Sequence, residues 1–311
     1  MSDTVPRPIQ SHSLRTGAKL RSYRIERMLG EGGFGITYLA RHETLDSKVV
    51  AIKEYFPQEF ATRNQNGSVS PDAAEHEEDF DQGLKRFLRE AQHLSSLKEH
   101  DHPSLDNVVK VEDVFQHHGT AYMVMEFIDG DPLMSLIDTM ERTKKSLSND
   151  RLRRVFLQLG RAIHFVHEKG LLHRDITPAN VLIRRNDDEP VLIDFGAAKR
   201  RPGFAQAEAA SPTITHFTRL VFTPGYSPLE QIDGVEQDRR TDIYSLAATM
   251  YHLALRLAPV DAAMRRDTLN VDRDDPLPAA AGAPAARKYD SVLLSCIDEG
   301  LRLPIEERPR T

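Results

Sequence analysis

Six residues, Gly30-Glu31-Gly32-Gly33-Phe34-Gly35, constrain the fold more than any other part of this chain. They match G-x-G-x-x-G, a spacing that closes backbone around a polyphosphate in two unrelated settings. In a dinucleotide-binding unit a helix must open at the third glycine. Here ITYLARHE follows, which alternates apolar and polar residues with the period of a strand. The preceding YRIERML reads the same way, so the glycines sit in a hairpin. A third run, KVVAIKEY, completes a small antiparallel meander. The glycine spacing alone is a weak signal, because a plain flexible hairpin also satisfies it.

The third strand places Lys53 behind Val50, Ala51 and Ile52. A lysine in a half-buried strand needs a partner, since desolvating an unpaired ammonium is costly. Residues 84–98 carry Leu84, Phe87, Leu88, Ala91, Leu94 and Leu97 at helical spacing, with Glu90 mid-helix. Glu90 is the candidate partner; Glu99 lies beyond the helix end. Such a pair would hold the ammonium within reach of phosphate oxygens. Residues 57–80, with the turn-forming NQNGSVSPD and an acidic run, read as a loop insertion. Strands around VVKVEDVF and AYMVMEFI then end a sheet-rich part near Gly130.

Beyond Gly130 the apolar period becomes helical. Leu152, Val155, Phe156, Leu159, Ile163 and Val166 form one stripe, closed by Lys169-Gly170. Ile243, Leu246, Ala247, Met250 and Leu253 mark a second helix. Between them VLI at 181–183 and VLI at 191–193 read as a hairpin, and PLPAAAGAPAA at 276–286 reads as a surface loop. The hairpin is bracketed by His173-Arg174-Asp175, Asn180 and Asp194-Phe195-Gly196. Asn180 and Asp194 offer hard oxygens suited to Mg²⁺ carried in with nucleotide phosphates. Asp175 is the remaining carboxylate, able to orient a hydroxyl and accept its proton. His117-His118, His164 and His167 raise a metal reading, but no third ligand accompanies them.

Composition narrows the function. Lys plus Arg (41) against Asp plus Glu (47) gives a net charge of −6, which argues against general nucleic-acid binding. No run of about 18 apolar residues exists, so no segment of this chain reads as membrane-spanning. The first 17 residues lack an apolar core of signal-peptide length. Residues 1–20 are polar and aperiodic and read as a flexible tail. The single cysteine, Cys296, can form no internal disulfide, which fits a reducing, cytoplasmic location. It is expected to be a small buried hydrophobe.

In order and spacing these elements resemble the eukaryotic-type protein kinase family, in its bacterial Ser/Thr branch. The resemblance runs from residue 23 to about 311. It implies an α+β bilobal fold: an N-lobe over about 21–128, an antiparallel sheet with one helix, and a mainly helical C-lobe over about 129–311, with ATP between them. It implies that Lys53 contacts the α/β-phosphates and pairs with Glu90, that Asp175 is the catalytic base, and that Asn180 and Asp194 hold Mg²⁺. Gly30, Gly32, Gly33 and Gly35 would cover the phosphates. Met125 would be the gatekeeper, and the Glu126 carbonyl and Ile128 amide would bind adenine between Ala51 and Leu182. Glu230, in Ser227-Pro228-Leu229-Glu230, would pair with Arg308, and Asp242 would support the catalytic loop. Protein Ser and Thr hydroxyls are the implied substrates, a choice that Thr223 in FTPGYSP favours.

Two positions depart from the family's pattern. Thr177 replaces the lysine usual two residues after the catalytic aspartate, removing a cation that would neutralise charge on the moving phosphoryl group. Thr37 replaces a near-isosteric valine over the adenine. The long segment before Glu230 reads as an activation loop, with Arg174, Arg86 and Lys199 converging on phosphorylated Thr215 or Thr218. Autophosphorylation there, in trans within a dimer, fits this reading. The rivals are a pseudokinase scaffold, which Thr177 keeps open, and a small-molecule phosphotransferase, which would lack Thr223, Glu230 and Arg308.

Overall fold

The computed structural model describes residues 12–97, 102–195 and 222–310. The chain divides into two compact units: Met1–Ser95 with Lys110–Phe127, and Ser96–Val109 with Ile128–Thr311.

The first unit is built on strands β1 (Lys19–Leu20), β2 (Tyr23–Gly32), β3 (Gly35–His42), β4 (Val49–Tyr55), β5 (Ala61–Arg63), β6 (Val69–Pro71), β7 (Val111–His117) and β8 (Thr120–Glu126). Six of them form one antiparallel sheet in the order β1-β2-β3-β4-β8-β7. Strand β4 has two different faces, as the pleat requires. Tyr55 points to the same side as Lys53. Its ring lies 5.3 Å from Phe80 and 5.8 Å from Phe87 of helix α1 (Glu77–Leu97), and its hydroxyl donates to Phe80 O at 3.2 Å. The close fit needs Gly83, where a Cβ would sit 2.1 Å from the Tyr55 oxygen.

Three expectations need correction here. Helix α1 starts at Glu77, not at residue 84. The acidic run Glu77-Glu78-Asp79 that resembled loop is the first turn, where carboxylates favour the exposed backbone N–H groups. The supposed loop insertion contains the ladder of β5 and β6, closed by a turn at Asn64–Ser68 with Gly67 at φ +83. Strands of three residues are too short to display a period of two. Residues 12–20, read as tail, carry β1, and Gly17 N donates to Ile25 O at 2.7 Å.

The second unit includes residues 102–109, which the sequence reading had assigned to the N-terminal part. Val109 N donates to Leu192 O at 2.9 Å, Asn107 Nδ2 to Pro190 O at 2.7 Å, and the His102 ring stacks 4.6 Å from Phe165. Strands β9 (Gly130–Pro132), β10 (Val181–Arg184) and β11 (Pro190–Leu192) form an antiparallel sheet with β10 central. The hairpin register pairs Val181 with Leu192 and Ile183 with Pro190. Helices follow: α2 (Leu133–Thr143), α3 (Asn149–Glu168), α4 (Leu229–Ile232), α5 (Arg239–Leu255), α6 (Ala262–Leu269) and α7 (Ser291–Gly300). Ser148 caps α3 by accepting from Arg151 N, and Gly170 at φ +75 follows its end.

Helix α5 is buried almost throughout and forms the unit's axis, with α7 so close that a Cβ on Gly300 would lie 2.6 Å from Ala247 Cβ. The 276–286 stretch is the surface loop expected, mostly exposed but anchored at three points. Leu277, Ala280 and Ala286 are buried, and Ala280 N donates to Asp298 Oδ1 at 2.6 Å. Cys296 is exposed on α7 rather than buried. Among the described residues no helix is long and apolar enough to cross a membrane.

Candidate active site

The first unit carries the residues expected to hold a nucleotide. The glycine run is the β2–β3 turn, with Gly32 opposite Gly35. Gly33 O accepts from Gln58 N at 3.1 Å and Phe34 O from Phe56 N at 3.0 Å. A Cβ on Gly35 would lie 2.5 Å from Glu54 O, so this position admits no side chain. Gly30 and Gly33 have open space around their Cβ positions, where only backbone would approach a ligand. Lys53, half-buried, stands opposite Thr37 on β3 and Met123 on β8. Glu90 lies on α1, the helix that packs through Phe80 and Phe87 onto Tyr55, two residues past Lys53. Ala51 and Met125 are buried register partners, and the Glu126 carboxylate accepts from Lys110 N at 2.9 Å.

The second unit carries the loop expected to be catalytic, and its geometry follows from one buried carboxylate. Asp242, in the first turn of α5, has no solvent exposure. Its Oδ1 accepts from Arg174 N at 2.7 Å, and its Oδ2 from His173 N at 2.8 Å and from His167 Nε2 at 2.7 Å. Burial would push this carboxyl up, but His167, His173 and the Arg174 N–H outweigh it and hold it below the ordinary carboxylate range. These bonds fix Arg174 at φ +64, a left-handed conformation that costs a residue with a Cβ about 1–3 kcal/mol.

His173 is fully buried, which holds its imidazole below the usual range and keeps it neutral. Ile193 O can only accept, so Nε2 carries the proton in that 3.1 Å bond, leaving Nδ1 to accept from Asp175 N at 3.3 Å. The same ring lies 4.4 Å from Phe195. One side chain thus joins the loop to the segment that carries Asp194, itself at φ +61. Ile193 N donates to Asn180 O at 2.9 Å, which sets Asn180 beside the same segment.

Asp175 is buried and receives two polar groups. Asn180 Nδ2 donates to its backbone oxygen at 2.9 Å and to its Oδ2, and Thr223 Oγ1 donates to its Oδ1 at 2.9 Å. Both amide hydrogens of Asn180 go to Asp175, so its amide oxygen turns away from that residue. Asn180 and Asp194 therefore offer one neutral and one anionic oxygen, a hard donor set that fits Mg²⁺. Thr249 Oγ1 donates to Ile176 O at 3.0 Å, and Gln231 Nε2 to Arg174 O at 2.9 Å. Thr177 is buried, and its carbonyl accepts from Asn180 N at 3.0 Å.

Behind the loop, Arg308 makes a bidentate pair with Glu230, at 2.6 and 3.1 Å, and Thr241 Oγ1 adds a bond at 3.0 Å. Leu182, expected beneath the adenine, is half-buried in β10 opposite Val191 and Pro132, and Ile128 is buried in the second unit. Lys199, Thr215 and Thr218, with the proposed convergence on a phosphate, lie outside the described residues. His167 is not a metal ligand but the partner of Asp242. Sequence reasoning did not find Glu54, Arg63, Thr249 or Gln231, because each acts through a tertiary contact that no local spacing announces.

The Protein kinase domain family matches residues 23–309. PknF of Mycobacterium tuberculosis, a serine/threonine-protein kinase, is 34% identical over 244 residues, 77% of this chain and 44% of PknF. Serine/threonine-protein kinase D of Synechocystis is 29% identical over 290 residues, 93% of this chain and 50% of that protein. The chain thus spans about half the length of these curated relatives. The solved structure of PpkA-294 in its apo form aligns with TM-score 0.78 and 32% identity over 97% of both chains. The PknI kinase domain of M. tuberculosis, at TM-score 0.63 and 24% identity over 95% of this chain and 94% of its own, shares the fold. With the catalytic loop held as described and a family match over nearly its whole length, this chain belongs to the eukaryotic-type protein kinases, as a bacterial Ser/Thr protein kinase domain of two-lobed α+β fold.

Proposed function

We propose that the chain transfers the γ-phosphate of ATP to Ser and Thr hydroxyls of protein substrates, including its own 211–223 segment. The observation that carries this reading is Asp175, a buried carboxylate already holding a hydroxyl, that of Thr223, at 2.9 Å on Oδ1. A substrate hydroxyl donating to the same carboxylate, beside Thr223, would be oriented for attack and would lose its proton to it, a contribution of about 10²–10⁴ in rate. Asn180 and Asp194 would hold Mg²⁺, which supplies charge neutralisation on the phosphate oxygens. Lys53, aligned by Glu90, would contact the α- and β-phosphates under the backbone of Gly30, Gly32, Gly33 and Gly35. Ala51 and Leu182 would enclose the adenine, with the Glu126 carbonyl and Ile128 amide as its hydrogen-bond partners. Thr177 brings no cation to the moving phosphoryl group, so charge neutralisation falls to Lys53 and the metal.

The test incubates the chain with Mg-ATP beside Asp175→Asn and maps phosphate by intact mass and peptide sequencing. Phosphate on Ser or Thr of 211–223 in the wild type alone is the expected result. No transfer to itself or to a basic protein substrate, with nucleotide still bound, would overturn the reading in favour of a scaffold. A dependence of the initial rate per molecule on enzyme concentration would show transfer between two copies.

A further inference from the structure

Among the described residues of the first unit, Glu54 is a buried carboxylate that phosphoryl transfer does not use. It follows Lys53 in β4 and so points to the opposite face of the sheet, with Val50, Ile52 and, just past the strand, Phe56, all buried. Tyr122, directly opposite on β8, donates its hydroxyl to Oε1 at 2.6 Å. Tyr38, two residues along β3 from the Glu54 partner Ile36, donates to Oε2 at 2.8 Å. Burial, reinforced by this carboxylate, pushes both phenols well above their usual range, so they stay protonated and donate. Arg63, brought in by β5, completes the set at 2.5 Å. Removing that hairpin would strand a charge with no solvent exposure.

The same guanidinium gathers two more parts of the chain. Its Nε donates to His12 O at 2.6 Å and its Nη1 to Gly67 O at 3.1 Å, and it lies 5.2 Å over the Phe56 ring. The His12 ring sits 5.4 Å from the same Phe56, and Leu14 N donates to the Tyr38 hydroxyl at 3.0 Å. Residues 12–14 and the β5–β6 hairpin therefore cap the face of β4 behind Lys53. The segment 56–58, which joins β4 to the hairpin and lies under Arg63 and His12, reaches the glycines directly. Besides the backbone bonds from Phe56 and Gln58 to Phe34 and Gly33, Gln58 Nε2 donates to Glu31 Oε1 at 2.7 Å, and His12 Nδ1 lies 3.9 Å from that oxygen.

We infer that residues 12–14 and the β5–β6 hairpin form a clamp that presets the glycine-rich turn for nucleotide, with Arg63 and Glu54 as its positioning residues. This rests on the ATP reading above. A glycine-rich turn has more conformational freedom to lose than any other sequence. Bonds from Phe56 and Gln58 remove that freedom before nucleotide arrives, so losing them raises the entropic cost of binding. The effect belongs to nucleotide affinity, not to the turnover of nucleotide already bound.

The experiment measures Mg-ADP affinity by calorimetry, and KM for ATP with kcat, on the full chain, a deletion of residues 1–14, Gln58→Ala, Arg63→Met and Arg63→Lys. Gln58→Ala and the deletion are expected to weaken Mg-ADP and raise KM by about three- to tenfold, as loss of one or two hydrogen bonds implies, with kcat within twofold. Arg63→Met should weaken binding further, and Arg63→Lys should recover part of the loss. Wild-type affinity in both Gln58→Ala and the deletion would overturn the clamp, as would a fall in kcat at constant affinity. Gln58 is only half-buried, so that variant reports even if Arg63→Met does not fold. A wild type that binds Mg-ADP but transfers no phosphate would refute the kinase reading instead, leaving the clamp to be judged on affinity alone.

Discussion

Asp242→Asn tests how the catalytic loop is held, because the carboxylate accepts three hydrogen bonds and an amide can accept only on one atom. If the amide nitrogen takes the Oδ2 place, it faces both His173 N and His167 Nε2; at Oδ1 it faces Arg174 N alone. The second arrangement is the cheaper. It still replaces a charge-assisted bond of about 1.5–3 kcal/mol with two opposed donors. It also removes the restraint on Arg174, and relaxation of that left-handed backbone, which stores about 1–3 kcal/mol, returns part of the loss. Stability should therefore fall by about 1–3 kcal/mol, and Tm by about 3–10 °C.

Activity should fall with it, because Arg174 relaxing toward negative φ rotates the peptide that carries Asp175. A shift of about 1 Å in the base costs on the order of 10²-fold in kcat. Affinity for ADP without metal should change far less, since Lys53 and the glycines belong to the other unit. Thermal unfolding, turnover and calorimetry on the one variant read all three. A Tm within 2 °C of wild type together with kcat within about threefold would show that Asp242 does not hold the loop, and the reasoning would fail.

Thr223→Val removes the donor to Asp175 Oδ1 without changing shape; kcat should drop about tenfold with Tm nearly unchanged, and undiminished kcat would dismiss Thr223 as an orienting group. Glu230→Gln breaks a buried bidentate pair and should cost about 3–5 kcal/mol, while adding Arg308→Met should return part of the lost Tm; a melt matching wild type in the single variant would contradict this. His173 and His252 are both held below the usual imidazole range, each chiefly by burial. The unfolded chain then binds more protons than the folded one once pH falls below about 6.5, so stability declines from there downward, by up to about 1.4 kcal/mol per histidine per pH unit. Melting curves between pH 7.5 and 5.5 should show Tm falling with pH, and a flat or rising Tm toward acid would refute the neutral assignment.

The sequence was legible where a residue's role follows from its neighbours in the chain. The glycine hairpin, the β10–β11 hairpin and the α3 and α5 stripes all show in spacings of a few residues. Asp175, Asn180 and Asp194 come together because the short β10–β11 connection forces them to. What the sequence hid lies in elements too short to show a period and in contacts between distant segments. Residues 61–71 gave strong turn signals, yet three-residue strands could not declare themselves beside them. Glu77-Glu78-Asp79 looked like solvated loop because the charges that stabilise a helix start are also those that populate loops. Arg63 and Glu54 are nine residues apart, and nothing in that spacing says that one guanidinium will cross a hairpin to meet the other under two tyrosines.

The hidden residues share a physical logic with the legible ones. A side chain expected to meet ligand, such as half-buried Lys53 or buried Asp175, must keep a polar atom open to that ligand, so its own packing cannot fix it completely. Each unit instead buries a carboxylate close to it. Glu54 occupies the next position in β4 and is held from the opposite face; Asp242 grips the two residues preceding Asp175. Buried carboxylates are costly unless every acceptor position is satisfied, so they tolerate one arrangement of donors and reject the others. That intolerance transmits order to Lys53 through the shared strand and to Asp175 through Arg174, the residue before it. It also means that variants at Glu54 and Asp242 should diverge in what they damage: nucleotide affinity in the first unit, proton transfer in the second. An alternative in which both merely stabilise the fold predicts the same Tm loss at each site with KM for ATP and kcat unchanged once the fraction folded is corrected for.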